Sequence, residues 1–132
     1  MTSFRLSGTL LTVVALLSSA VLTGTASADD RPQSTLTLTL KAPQGATSKV
    51  RLECEPAGGS HPSPKPACDE VTTAAGDFDA LPGMPQLMAC TMDYRPVVAS
   101  VRGWWEGRSV RWKHKYSNSC TLRADTGVVF DF

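Results

Sequence analysis

The chain has 132 residues and a nearly even charge balance, 13 Lys and Arg against 12 Asp and Glu. That length fits one modest domain behind a leader and excludes a multidomain enzyme. The even balance argues against a partner chosen by bulk charge, such as nucleic acid or an anionic membrane.

A lone Arg5 precedes an uncharged apolar run from Leu10 to Leu22, which ends in Ala26-Ser27-Ala28 before Asp29-Asp30. This is the layout of a secretory signal peptide over residues 1–28. The competing reading is a membrane anchor, for which the run is too short and its flanks are wrong. No later segment is apolar enough to span a bilayer, so the expected product is a secreted domain over residues 29–132 with no membrane contact. Loss of Arg5 leaves 12 basic against 12 acidic residues. The basic residues lean toward the C-terminal half (Arg108, Arg111, Lys113, Lys115, Arg123) and read as a solvated strand face.

Residues 29–33 are polar, contain Pro32 and are expected to form a loose tail. Leu36, Leu38 and Leu40 then alternate with Thr35, Thr37 and Thr39, the signature of a half-buried strand. Ala42 to Gly45 reads as a turn. Lys49 to Cys54 alternates again and completes a hairpin. Glu55 to Pro66 carries four prolines and is expected to be irregular. Ala67 to Ala75 is predicted as a short helix stopped by Gly76, and residues 77–85 as loop. Val97–Gly103 and Arg108–Tyr116 are strand-like, joined around Glu106-Gly107. Ser117-Asn118 resembles a helix N-cap, so a helical turn is expected over Cys120–Asp125, ending at Gly127. Val128 to Phe132 alternates once more and is expected to send Val128, Phe130 and Phe132 into the core. The pattern predicts an α+β domain built on an antiparallel sheet of about five strands with one or two short helices.

Cys54, Cys68, Cys90 and Cys120 all lie in the secreted part, where an even number reads as disulfides. Four cysteines allow three pairings, and sequence alone does not choose among them. There is no C-x-x-C pair and no His cluster at ligand spacing, so no metal is expected. The chain lacks G-x-S-x-G, H-E-x-x-H, a phosphate-binding loop and a dinucleotide fingerprint, which points away from an enzyme and from any cofactor. His61, in the Pro-rich loop, is expected to be exposed, and His114 to be a packing residue. The segment most able to carry function is Ala89 to Pro96. Cys90 anchors one end and Pro96 fixes φ at the other, so few conformations remain to be lost on binding.

Cys90-Thr-Met-Asp-Tyr-Arg-Pro-Val97, Gly103, Gly107-Arg-Ser-Val110, Tyr116-Ser-Asn-Ser-Cys120 and Val129-Phe-Asp-Phe132 together resemble the Streptomyces subtilisin inhibitor-like family. Leu36-Thr-Leu-Thr-Leu40, Cys54, His61-Pro62 and Ala67-Cys68 fit the same pattern. The resemblance implies a five-stranded antiparallel sheet with two short helices, disulfides Cys54–Cys68 and Cys90–Cys120, and a homodimer. It implies substrate-like inhibition of a subtilisin-like serine protease, with Met92 as primary specificity residue and Met92–Asp93 as reactive bond. Ala89, Cys90 and Thr91 would then lie on the acyl side and Tyr94 and Arg95 on the leaving-group side, with Asn118 and Pro96 supporting the loop. Asp93 and Arg95 depart from the family pattern, and an extended loop would point both the same way, able to pair. Two other classes compete: a secreted binding module using Trp104-Trp105, and a crosslinking-enzyme substrate using Gln33 or Lys41.

Overall fold

The uninterrupted Leu–Thr alternation makes Ser34–Lys41 the central strand, β1. Leu36 and Leu38 are fully buried on one face, while the threonines line the other. β2, Thr47–Cys54, returns antiparallel through a turn closed by Ala42 N donating to Ala46 O at 2.8 Å. Here and below the protein is described from a computed structural model covering residues 24, 31–84 and 89–132. The predicted leader thus lies outside the described residues, Gly24 excepted.

On the other side of β1, β4 (Val97–Trp105) pairs antiparallel, and β5 (Arg108–Tyr116) pairs with β4. Gly103 faces Leu36, and a Cβ on it would stand 2.1 Å from the Thr35 carbonyl oxygen. Only glycine lets the two backbones come so close. The adjacent Trp104 and Trp105 point to opposite faces, one exposed and one buried.

The fifth strand is not where alternation placed it. β3 is Gly58–Gly59, inside the Pro-rich segment expected to be irregular, and it pairs with Leu52 and Glu53 at the sheet edge. The full order is β3-β2-β1-β4-β5. Val128–Phe132 is not a strand. Val129 N donates to Thr126 O and Asp131 N to Val128 O, both at 3.2 Å, so local turns consume the donors that a ladder would need. The adjacent Val129 and Phe130 are consequently the buried pair, with Val128 and Phe132 partly buried beside them.

Helix α1 runs Pro64–Thr73, three residues earlier than expected. Its prolines fall in the first turn, where a missing N–H removes no helical bond. Ala67, Cys68 and Val71 face the sheet. Helix α2, Ser119–Thr126, is closed by a capping box: Thr121 N donates to Asn118 Oδ1 at 2.9 Å, and Asn118 N to Thr121 Oγ1 at 3.2 Å. Cys54–Cys68 ties β2 to α1. The core lies between one sheet face and the layer of α1, α2 and Val129-Phe130.

His61 is buried, not exposed. Its Nδ1 accepts from Ser63 N and its Nε2 lies 3.0 Å from the Val129 carbonyl oxygen, bridging the Pro-rich segment to the C-terminus. His114 stacks between Trp112 and Tyr116 on β5.

Glu70 closes the same layer by accepting from Val128 N at 3.2 Å. Burial pushes its carboxyl above the ordinary range, partly opposed by hydrogen bonds from Val128 and Val129. An acid whose folded pKa is raised favours the folded state most while protonated. Its contribution is full below the unfolded value and is lost as pH rises through the folded one. Glu70→Gln keeps an acceptor without the charge, so the variant is expected to gain stability relative to wild type between pH 4 and pH 7. Urea unfolding at both pH values measures it, and equal differences at the two would contradict the assignment.

Candidate functional site

Leading into β4 from residue 89 is a loop whose side chains face solvent. Ala89 and residues 91–95 are exposed, Cys90 and Pro96 half-buried. Met92 stands at 98% exposure, which is exceptional for so large an apolar side chain. Tyr94 is 68% exposed. Two large side chains this exposed thus stand two residues apart on one loop.

Exposed as it is, the loop is tied from below. Cys90 is bonded to Cys120 in the first turn of α2, 30 residues away. A loop of that length restricts the unfolded chain by about 3.5 kcal/mol in the chain-entropy treatment. Arg95 N donates to Ser117 O at 2.8 Å, just before the helix. The Asn118 side chain, only 4% exposed, donates from Nδ2 to Thr91 O at 3.2 Å and to Asp93 O at 2.9 Å. One amide therefore holds the carbonyls on both sides of Met92. Met92 itself makes no hydrogen bond among the described residues, so its own carbonyl stays free.

A second set of contacts crosses the Met92–Asp93 bond on the outside. Thr91 Oγ1 donates to Asp93 Oδ1. Asp93 Oδ2 lies 3.9 Å from Arg95 Nε, with both side chains largely exposed. The exposed ion pair contributes little energy by itself, yet it sets the direction of both side chains. Further along the loop Lys115 Nζ sits 5.8 Å from the Tyr94 ring centroid, a cation–π contact of about 0.5 kcal/mol at such exposure. Beneath the loop, Tyr116 is pushed up to about 12, first by burial and then by Asp125 and Asp79. It remains a neutral packing group.

Every residue singled out in the sequence for this segment is thus gathered around one loop and one helix N-terminus. The Asn118 cap was legible as a cap, but its second task of bridging two loop carbonyls was not. The Ser117 carbonyl and the Lys115–Tyr94 contact left no signal in the sequence, since both depend on β5 ending under the loop. The cysteine pairing is the one the resemblance implied, Cys54 with Cys68 and Cys90 with Cys120. Among the described residues no cluster of His, Cys, Asp or Glu is placed to hold a metal ion.

Comparison with known proteins points to one group. A subtilase-type protease inhibitor of Streptomyces fradiae is 44% identical over 95% of this chain and 93% of its own length. A subtilisin inhibitor-like protein of Streptomyces cacaoi is 43% identical over 66% of this chain and 81% of its own length. Among solved structures, Streptomyces caespitosus sermetstatin, in complex with Bacillus licheniformis subtilisin, superposes with a TM-score of 0.62 at 29% identity. That match covers 75% of this chain and 98% of sermetstatin's. The family profile described as subtilisin inhibitor-like matches residues 32–118, from the tail before β1 through the Asn118 that bridges the loop, and the chain belongs to that family.

Proposed function

We propose that the domain is a secreted, substrate-like inhibitor of subtilisin-type serine proteases, with Met92–Asp93 as its reactive bond. One observation carries the reading: an almost fully exposed Met whose own carbonyl is free, while a single buried amide fixes the carbonyls on either side. The names of the relatives support the class of target, and the predicted leader supports secretion.

The chemistry follows from the geometry. The protease serine Oγ attacks the Met92 carbonyl carbon, a bond forms to the acyl group, and the Asp93 amine leaves as the C–N bond breaks. In an ordinary substrate that amine diffuses away. Here Cys90–Cys120 keeps the acyl side on α2, while Asn118–Asp93 and Arg95–Ser117 keep the amine side on the same helix terminus. The amine stays beside the ester, where effective concentrations of well-held groups reach the order of 10⁵ M or more. Religation outruns hydrolysis by water. Because the loop is ordered before docking, little conformational entropy is lost on binding. Met is unbranched and apolar, suiting an elongated hydrophobic specificity pocket. It offers no cation to an acidic pocket, and the Arg95–Pro96 bond is a poor site for cleavage, so weak or no inhibition of trypsin is expected. Ala89, Cys90 and Thr91 contact the protease on the acyl side, Tyr94 and Arg95 on the other, and Pro96 stiffens the exit into β4.

The reading includes a homodimer, for which Trp104, 58% exposed on the outer sheet face, offers the apolar contact. The test of function is titration of subtilisin with the oxidised domain spanning residues 29–132. Activity should fall linearly to an endpoint at one domain per enzyme. Unimpeded proteolysis, with the domain consumed, would overturn the proposal.

A further inference from the structure

The two loop residues that depart from the family pattern, Asp93 and Arg95, are also the two that meet. The Asp93 carboxylate does more than pair with Arg95. Its Oδ1 accepts from Thr91 Oγ1, on the acyl side of Met92, and its Oδ2 faces Arg95 Nε at 3.9 Å. One carboxylate thus joins the residue before Met92 to the residue that carries the leaving amine, and is steadied by a cation two places further on. The Thr91–Asp93 bond runs through side chains alone, so cutting the Met92–Asp93 peptide does not break it. It is also separate from Asn118, whose Nδ2 holds the backbone carbonyls of the same two residues from the buried side.

We propose that Asp93 is a positioning residue of the inhibitory reaction: its carboxylate clamps Thr91 and Arg95 across the reactive bond and keeps the cut ends together for religation. The proposal rests on the reading of Met92–Asp93 as the reactive bond. Thr91, Asp93 and Arg95 are alternate residues, which an extended backbone sets on one side. Met92 lies between them and takes no part, so the clamp does not compete with the side chain offered to the specificity pocket. A hydrogen bond to an ionised acceptor is stronger than one between neutral groups. In the acyl-enzyme Met92 is esterified to the protease serine, and Asp93 carries the free amine. Religation needs that amine to attack the ester carbonyl. The C–N bond then reforms, and the serine Oγ leaves with the proton the amine gives up. With the clamp in place Asp93 stays beside Thr91, and so beside the ester one residue on. The clamp also restrains the new termini, which takes away part of the freedom that cleavage would release and favours the intact form.

The test is a double-mutant cycle on the oxidised domain spanning residues 29–132, with Thr91→Val, Asp93→Ala and the two combined. Valine keeps the shape of threonine without its hydroxyl. Each single variant should weaken subtilisin inhibition about tenfold, the lower range for a hydrogen bond to a charged group. The double variant should lose little more than either, because both changes remove the same bond. Asp93→Asn keeps an acceptor for Thr91 and should stand within about threefold of wild type. A second measurement is the ratio of intact to cleaved domain at equilibrium under catalytic subtilisin, read by mass spectrometry. That ratio belongs to the domain and not to its contacts with the enzyme, so it separates clamping from direct contact. It should move toward the cleaved form by about threefold or more in Thr91→Val and Asp93→Ala alike. Additive losses in the cycle, an Asn variant no better than Ala, or a wild-type ratio in both single variants would overturn the clamp and leave the inhibitor reading standing. A wild-type domain that fails to inhibit subtilisin would take both down.

Discussion

Asn118→Ser is expected to keep the helix cap and lose the inhibitor. Serine ranks with asparagine as an N-cap, so its hydroxyl can still accept from Thr121 N. It has no amide to donate to Thr91 O and Asp93 O, and both carbonyls lose their tie. Each of those bonds contributes about 1 kcal/mol net. Releasing both should weaken subtilisin inhibition about 30-fold in Ki, at about 1.4 kcal/mol per factor of ten. The Met92–Asp93 bond should then be hydrolysed faster, because the amine drifts from the acyl group. Asn118→Ala removes the cap as well and should be less stable than Asn118→Ser by about 0.5–2 kcal/mol, with inhibition no worse. Denaturation midpoints and inhibition constants for the pair separate the two tasks of one side chain. A Ser variant that inhibits like wild type would show that the loop is held without the amide.

Met92 substitutions should give the largest changes in inhibition. Met92→Gly removes the side chain proposed to fill the specificity pocket, a loss on the order of 10²- to 10³-fold if the group is worth about 3–4 kcal/mol in a well-packed pocket. Met92→Lys leaves the loop's anchors untouched, since Met92 makes none of them. It places a cation where an acidic pocket can receive it. The Lys variant should therefore gain stoichiometric inhibition of trypsin while losing potency toward subtilisin. Both variants should unfold at the wild-type midpoint, because an exposed side chain with no partner stabilises nothing. Unchanged inhibition constants for the Gly variant would move the reactive bond elsewhere on the loop.

The strands that alternate strictly were legible because one sheet face is buried and the other wet. β1 declares this with every residue, and β4 and β5 nearly so. β3 was not legible: two glycines carry no side-chain pattern, and their pairing is imposed by β2. Val128–Phe132 misled for the opposite reason, since alternation over five residues also fits a pair of tight turns. The prolines at 64 and 66 read as breakers because their place in a helical first turn depends on where the helix begins. His61 was misplaced by its neighbours: a Pro-rich segment reads as exposed, yet this one folds back onto Val129. For the loop, its borders at Cys90 and Pro96 were readable from residue type, whereas the pairing and the reactive bond came only from the family resemblance.

The central claim is that Met92–Asp93 is attacked as a substrate bond and remade. The direct measurement is mass spectrometry of the oxidised domain incubated with a catalytic amount of subtilisin, started once from intact protein and once from protein already cleaved at that bond. A single cleavage, between Met92 and Asp93, is expected, with the same mixture of intact and cleaved forms from either start. Progressive digestion at many bonds, or cleaved protein that never regains the Met92–Asp93 bond, would contradict it.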